Sequence, residues 1–393
     1  MGFRSNETVI NLTMDYIPYI SKMIQNGMYI DLDALVDKKF EIMAQTAVVM
    51  AQVREMAGPD FNPGSWQQLL KFLRANGVKI RDTAEGTLAE HESDHPMIPL
   101  VLKLRGLNKL ESTYCDGYAK WIDKDFLIHS KFGVQGTETT RLNSKDPNLQ
   151  NTPRSIRPCF KSRYGAEGVM LSSDLSALEY REIAHCSRDK KLLDIFRNSR
   201  DIHKEAAKYV LGYPDDMIKE QRKEGKTLNY AAVYGAGEEK VYKLIGRRDQ
   251  GVYKRIKGMY PGVDEWKEEV LQELNRNKHI SNFLGYEWDF EFMDQNIERE
   301  VVNRVIQSAG HMILMVYLME VDDNLTDAGL TDVLLVNENH DSFMYDCPKE
   351  NLEKASLIVN TIGSDLNPLI EKAFGVKMRV PMFAEMEVTE TWT

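Results

Sequence analysis

From Ala177 to about Asn277 the chain is almost entirely helical in pattern, broken once at Gly212-Tyr213-Pro214. This block separates two places where a short apolar run leads to an acid. The first, Gly168 to Asp174, reads as a buried strand that carries a carboxylate to its C-terminal edge. The second reads as a hairpin: Val333 to Val336, a polar turn from Asn337 to Asp341, then Ser342 to Cys347. Asp341 stands at its tip. If these strands are neighbours in one sheet, two acids far apart in sequence face the same point.

The rest of the chain supplies a helical lobe. Residues 7 to 25 read as a helix that Asn26-Gly27 ends, followed by an extended Met28-Tyr29-Ile30. Asp31 or Asp33 can cap the next helix, whose apolar positions recur from Leu35 to Met56. Ser65 caps a helix from Trp66 to Asn76, and another runs from about Pro96 to Trp121. Residues 130 to 165 are rich in Thr, Asn, Pro and Arg and read as irregular. The apolar run Met312 to Met319 is far shorter than a membrane span. The N-terminus lacks the basic-then-apolar order of a signal peptide. Four cysteines lie far apart with no CxxC pair, which points to reduced thiols rather than a zinc site.

The formal net charge of −10 argues against a nucleic-acid partner when taken alone. Local charge matters more, because screening acts over about 10 Å. Pro147 to Ala166 holds Arg154, Arg157, Lys161 and Arg163 and no acid. Lys240 to Lys257 holds seven basic residues and one acid, Asp249. Both tracts fit a phosphate-binding groove, and both fit solvated helix faces.

Two features carry chemistry. Mg²⁺ prefers hard oxygen ligands, and paired ions sit about 3.5–4 Å apart between shared carboxylates. Asp174 and Asp341 suit that task, with the main-chain carbonyl of Leu175 as a further ligand. The helix after Pro214 places Arg222, Lys226, Tyr230 and Tyr234 four residues apart. At about 100° per residue they drift roughly 40° per step and span about 120° of one face. Two cations there can grip a triphosphate, and an aromatic can stack on a base.

These residues resemble a known family. Arg222-Lys-Glu-Gly-Lys226-Thr-Leu-Asn-Tyr230-Ala-Ala-Val-Tyr234-Gly235 is similar to the nucleotide-binding fingers helix of family A, or Pol I-like, DNA polymerases. Ser173-Asp174-Leu-Ser-Ala-Leu-Glu179-Tyr-Arg181 resembles the family's first catalytic carboxylate segment. Asn339-His340-Asp341 resembles its second. Arg141 to Asn151 resembles the segment that tracks the primer-template minor groove, and Asn303 to Gly310 the template-contacting palm helix in its phage-like form. Asp201-Ile-His203 matches a finger segment near the nucleotide phosphates. The blocks fall in the family's order over nearly the whole chain.

The resemblance implies an α+β right-hand fold with an antiparallel palm sheet and mostly helical fingers and thumb. Residues 1–34 would be an N-terminal palm-associated segment, 35–125 the thumb, 126–199 and 298–393 the palm, and 200–297 the fingers. It implies a DNA-directed DNA polymerase that adds dNTPs to a primer 3′-OH with two Mg²⁺ ions, Mn²⁺ being a possible substitute. Asp174, Leu175 and Asp341 would hold the metals. Arg222, Lys226 and His203 would bind the triphosphate, and Lys226 would protonate the leaving pyrophosphate. Tyr230 would pack on the nucleotide, and Glu179 would exclude the ribose 2′-OH. Arg141, Asn148, Gln150, Asn151 and Arg154 would contact DNA, as would Tyr234, Arg299, Asn303, Gln307 and His340. The expected partners are primer-template DNA and a separate exonuclease or replisome protein. The chain is expected to be a monomer without proofreading or membrane attachment, in the cytoplasm of a bacterium or phage-infected cell. The alternatives are a single-subunit RNA polymerase, against which Glu179 argues, and a catalytically weak DNA-binding or accessory protein that kept the fold.

Three positions depart from the family's pattern. Ser342 stands where a Glu usually follows His-Asp, so the third carboxylate is missing from its usual place. Ala177 replaces a common Gln, and Thr140 a common Gly.

Overall fold

The computed structural model describes residues 7–134, 137–290 and 295–393, with the side chains of Thr8, Gln295, Asn296, Glu298 and Arg299 outside the described set. Helix α1 (Glu7–Asn26) stops at Gly27, where φ is +61° and a Cβ would lie 2.8 Å from the His129 ring. Glycine alone meets both demands. Helix α2 (Leu32–Ala57) begins at Asp31, whose carboxylate accepts from the Ala34 amide at 3.0 Å, so Asp31 rather than Asp33 is the cap. Its buried row Leu35, Ile42, Val49 and Val53 packs toward α3 (Met97–Lys109).

Ser65 caps the helix Trp66–Ala75 as expected. The single helix expected to run on to Trp121 instead widens into a π-helix over Leu110–Cys115 before a last turn at Asp116–Ala119. A widened turn leaves the apolar spacing nearly intact, so periodicity does not reveal it. The core of this helical lobe continues into Phe160, Met170, Val336, Met344 and Trp392. The lobe is therefore fused to the sheet through shared apolar contacts.

The sheet has four antiparallel strands: β1 (Gly168–Leu175), β2 (Leu334–Asn339), β3 (Ser342–Pro348) and β4 (Ala384–Thr389). Their order is β4-β1-β3-β2. The hairpin turn is narrower than the sequence suggests. Asn337 and Glu338 belong to β2, leaving only His340 and Asp341 between the strands. These polar residues stay in the strand because they are buried, and Glu338 has partners inside. It accepts from Tyr16 of α1 and faces the His311 Nε2 at 3.0 Å. A register shift between Leu335 and Asn337 bends the hairpin just before its tip.

In the helical block α4 (Leu178–Ser187) follows β1 directly, and α5 (Ile202–Leu211) packs along α6 (Lys219–Tyr234). Helix α7 (Gln295–Asp327) is 33 residues long and runs through the core. By length and composition its stretch Glu300–Asp327 could cross a membrane, but 83% of its most apolar window is buried inside the protein.

Candidate active site

One hydrogen bond and one left-handed turn residue bring the acids together. Asp174 is the penultimate residue of β1, and Asp341 is the last residue of the hairpin turn. The Leu175 amide donates to the Asp341 main-chain carbonyl at 2.9 Å. That bond ties the end of β1 to the hairpin tip. His340 takes a left-handed φ of +59°, which turns the chain so that Asp341 faces the same cavity as Asp174.

The cavity is about 850 Å³. Its wall includes Asp174, Leu175, Glu179, His203, Arg222, Lys226, Tyr230, Asp341 and Glu385. Arg141, Arg154 and His340 complete the rim. Asp174 touches solvent in the cleft, yet protein surrounds it on most sides. Partial desolvation, then Asp341 and Glu385, push its pKa up to about 7, against the opposing charge of Lys226. Burial likewise raises Asp341, with Arg141 and His340 opposing.

Crowded acids of this kind fit a divalent cation, which relieves their repulsion. Among the described residues no three His, Cys, Asp or Glu side chains are gathered into a closed metal cage. An open pair of carboxylates is how Mg²⁺ is usually held when substrate phosphates supply the other oxygens.

Helix α6 faces the acids across the cavity. It comes close to α5 because residue 225 is glycine: a Cβ there would lie 2.2 Å from the His203 carbonyl. Asp201 caps α5 and accepts from the Arg222 Nε at 2.6 Å, which anchors that guanidinium at the wall. Lys226, one turn on, is exposed and has no ion pair among the described residues. His203 is buried, and desolvation followed by Arg222 lowers its pKa to about 4. It is neutral near pH 7 and offers hydrogen bonds rather than charge.

Tyr230 and Tyr234 stack at 5.8 Å and 15°. Tyr180 of α4 packs against Tyr230 at 5.5 Å and edge-on to His203 at 5.6 Å. Tyr234 lies behind Tyr230 and donates to Glu179, whose other oxygen accepts from Arg141 at 3.4 Å. One turn along α4, Glu182 is fully buried with neither carboxylate oxygen hydrogen-bonded, and burial raises its pKa strongly. It abuts Gly310, where a Cβ would meet its oxygen at 3.2 Å.

A second cavity adjoins the first, with Arg141 and His340 in the common wall. It is lined by Asn148, Gln150, Asn151, Asn303 and Gln307. Gln150 is mostly buried and donates to the Glu338 carbonyl at 3.4 Å, so it braces this wall. Arg299 lies on α7, with its side chain outside the described set.

Several residues of the two basic tracts have partners within the chain. In the first, Arg157 packs on Trp392, Lys161 pairs with Asp31 and Arg163 with Asp346. Only Arg154 reaches the cavity. In the second, Arg247 and Arg248 pair with Asp249 and Glu239, and Arg255 donates to the Val210 carbonyl. A run of charge in sequence carries no information about which acids or carbonyls will lie beside it.

Sequence reading missed Glu385, the Asp201 anchor of Arg222, Tyr180 and Glu182. One signal for Glu385 was available: Glu385 and Glu387 alternate in the last strand and so share one face.

The raised Asp174 makes a stability prediction. Between about pH 4 and 7 the folded chain keeps a proton that the unfolded chain has released. This group's contribution therefore falls as pH rises through that window. In EDTA, Asp174→Asn is expected to melt above the wild type near pH 8, with the difference shrinking toward pH 5. Mg²⁺ is expected to raise the wild-type melting temperature near pH 8 and leave the variant unchanged. Thermal melts with the same difference at every pH would contradict the crowding of the acids.

Comparisons with known proteins agree with this architecture. The family described as DNA polymerase family A matches residues 33–393. The chain is 27% identical to the thermostable DNA polymerase I of Thermus filiformis over 401 residues, covering 95% of this chain and 46% of that protein. It is 28% identical to DNA polymerase I of Pseudomonas aeruginosa over 410 residues, covering 97% and 44%. The chain thus spans less than half the length of these relatives. A solved structure of the POL domain of Pol1 from M. smegmatis, in complex with DNA primer-template and dNTP, superposes with a TM-score of 0.83 at 22% identity. It covers 97% of this chain and 70% of that one. The fold is the right-hand polymerase fold, and the chain belongs to DNA polymerase family A.

Proposed function

We propose that this chain is a template-directed DNA polymerase that adds dNTPs to a primer 3′-OH. The observation that carries the reading is one cavity holding Asp174 and Asp341 on its floor and the Arg222–Lys226–Tyr230 face of α6 on its wall. Asp174, Asp341 and the Leu175 carbonyl would hold two Mg²⁺ ions, which supply charge neutralisation on the phosphates and a more acidic primer hydroxyl. Arg222 and Lys226 bind the triphosphate, and His203 donates a hydrogen bond to it. Lys226 gives its proton to the departing pyrophosphate. Glu179, held by Arg141 and Tyr234, fills the space that a ribose 2′-OH would need.

In this reading residues 35–125 are the thumb, 200–297 the fingers, and 126–199 with 298–393 the palm, against which 1–34 packs. Primer-template DNA runs along the second cavity past Asn303 and Gln307, whose phage-like segment supports a phage-type enzyme. The setting is the cytoplasm of a bacterial or phage-infected cell. Extension of a labelled primer in Mg²⁺ tests the reading. Template-dependent growth with dNTPs and little with ribonucleotides is expected, and no growth with dNTPs refutes it. Shortening of the primer without nucleotides is read on the same gel.

Tyr230 adds a sharper expectation. Its ring lines the cavity, and its hydroxyl has no hydrogen-bond partner among the described residues. That hydroxyl replaces the missing 3′-OH of a dideoxynucleotide. One such hydrogen bond is worth about 1–1.5 kcal/mol, so Tyr230→Phe is expected to raise discrimination against dideoxynucleotides about tenfold. Competition between ddNTP and dNTP checks it, and an unchanged ratio removes the role.

A further inference from the structure

Three residues lie in a row across the sheet. Glu385 of β4, Asp174 of β1 and Ser342 of β3 are direct antiparallel partners. Directly opposed residues project from the same face, with Cβ atoms about 4.5–5.5 Å apart. Asp174 therefore has one neighbour on each side that could share a cation with it. On one side that neighbour is Ser342, whose hydroxyl donates to the Asn339 carbonyl at 3.0 Å. It brings no charge. On the other side it is Glu385, which lines the same cavity as both aspartates.

Glu385 is exposed and has no ion pair among the described residues. The Ser176 hydroxyl donates to its Oε1 at 2.9 Å. One carboxylate oxygen is thus held in place while the other can turn toward the cavity. Position 385 lies across β1 from position 342, so an acid at either position stands in the same row beside Asp174.

We propose that Glu385 supplies the third carboxylate of the cation site, doing from β4 what an acid at 342 would do from β3. This rests on the reading that Asp174 and Asp341 hold the metals. No three acids already converge on one point among the described residues. Glu385 therefore acts on the hydration shell, as an outer carboxylate commonly does around an ion that keeps several waters.

An ordinary role competes with this one. Charged residues on an edge strand prevent pairing with a second chain. Glu387 supplies the control: it sits on the same face of β4 two residues on, accepts from the Thr393 hydroxyl, and does not line the cavity. An edge guard would be as good at 387 as at 385.

The test measures Mn²⁺ binding to the whole chain by electron paramagnetic resonance of the free ion, alongside the Mg²⁺ needed for half-maximal primer extension. Glu385→Gln is expected to weaken Mn²⁺ binding at least about tenfold and to raise the Mg²⁺ requirement to match. Glu387→Gln is expected to change neither by more than about twofold, on the ordinary scale of a solvated surface charge. Ser342→Glu, added to Glu385→Gln, is expected to restore most of the loss. Equal behaviour of Glu385→Gln and Glu387→Gln overturns the proposal, as does weakening that Ser342→Glu does not repair. Asp174→Asn separates the two levels: wild-type Mn²⁺ binding in that variant would refute the metal site itself, whatever Glu385 does.

Discussion

Asp174→Asn is expected to reduce primer extension at least about a thousandfold, because the lost charge stabilisation is worth several kcal/mol at about 1.36 kcal/mol per tenfold. The substitution keeps the shape of the side chain. It removes one charge from the centre of the row that joins β4, β1 and β3. The strand should stay in place, since β1 is held by ladders on both sides. Duplex binding is expected to remain within about twofold, because single solvated charges are worth little and the second cavity is untouched. Steady-state extension and a duplex-binding titration on the same preparation give both values. Retention of a tenth of the activity would mean that the chemistry does not depend on the Asp174 carboxylate. Loss of both activities would point to misfolding, which circular dichroism identifies.

The second large effect is expected at Lys226. Its ammonium faces the cavity without an ion pair, and its charge opposes the upward shift at Asp174. If Lys226 is the general acid of the proposed reaction, Lys226→Ala removes a group worth about 10²–10⁴-fold. A fall in kcat of at least about a hundredfold is the expected result on that basis, with a weaker rise in KM. Lys226→Arg separates charge from proton transfer. A guanidinium keeps the grip on phosphate but holds its proton, with a pKa above about 12. It should recover KM and leave kcat low. Lys223 is the control: it is exposed on α6 but does not line the cavity. Equal effects at 223 and 226 would dissolve the distinction between the two faces of this helix.

Much of this arrangement was legible in the chain itself, and the reason is periodicity. The Arg222, Lys226, Tyr230 stripe depends only on the pitch of one helix, so its shared face follows from residue spacing. The same holds for Asp31 and Ser65 as caps, and for the strand ending at Asp174. The hairpin pattern placed Asp341 at a turn tip, and the ordered blocks of family resemblance extended the reading to Glu179 and the second cavity. Charge was less readable. Arg157, Lys161 and Arg163 looked available for phosphate, but their partners are Trp392, Asp31 and Asp346. Each is contributed by a distant part of the chain.

The chain alone therefore determined the helix faces, the caps and the strand that delivers Asp174. Folding in three dimensions decided that β4 joins β1 in the register that sets Glu385 beside Asp174. It also buried Glu338 with Tyr16 and His311, which turned an expected polar turn into strand. Neighbours along one element are set by backbone geometry within a few residues. Neighbours across a sheet or a core are set by which distant surfaces exclude water together, and no local pattern records that choice.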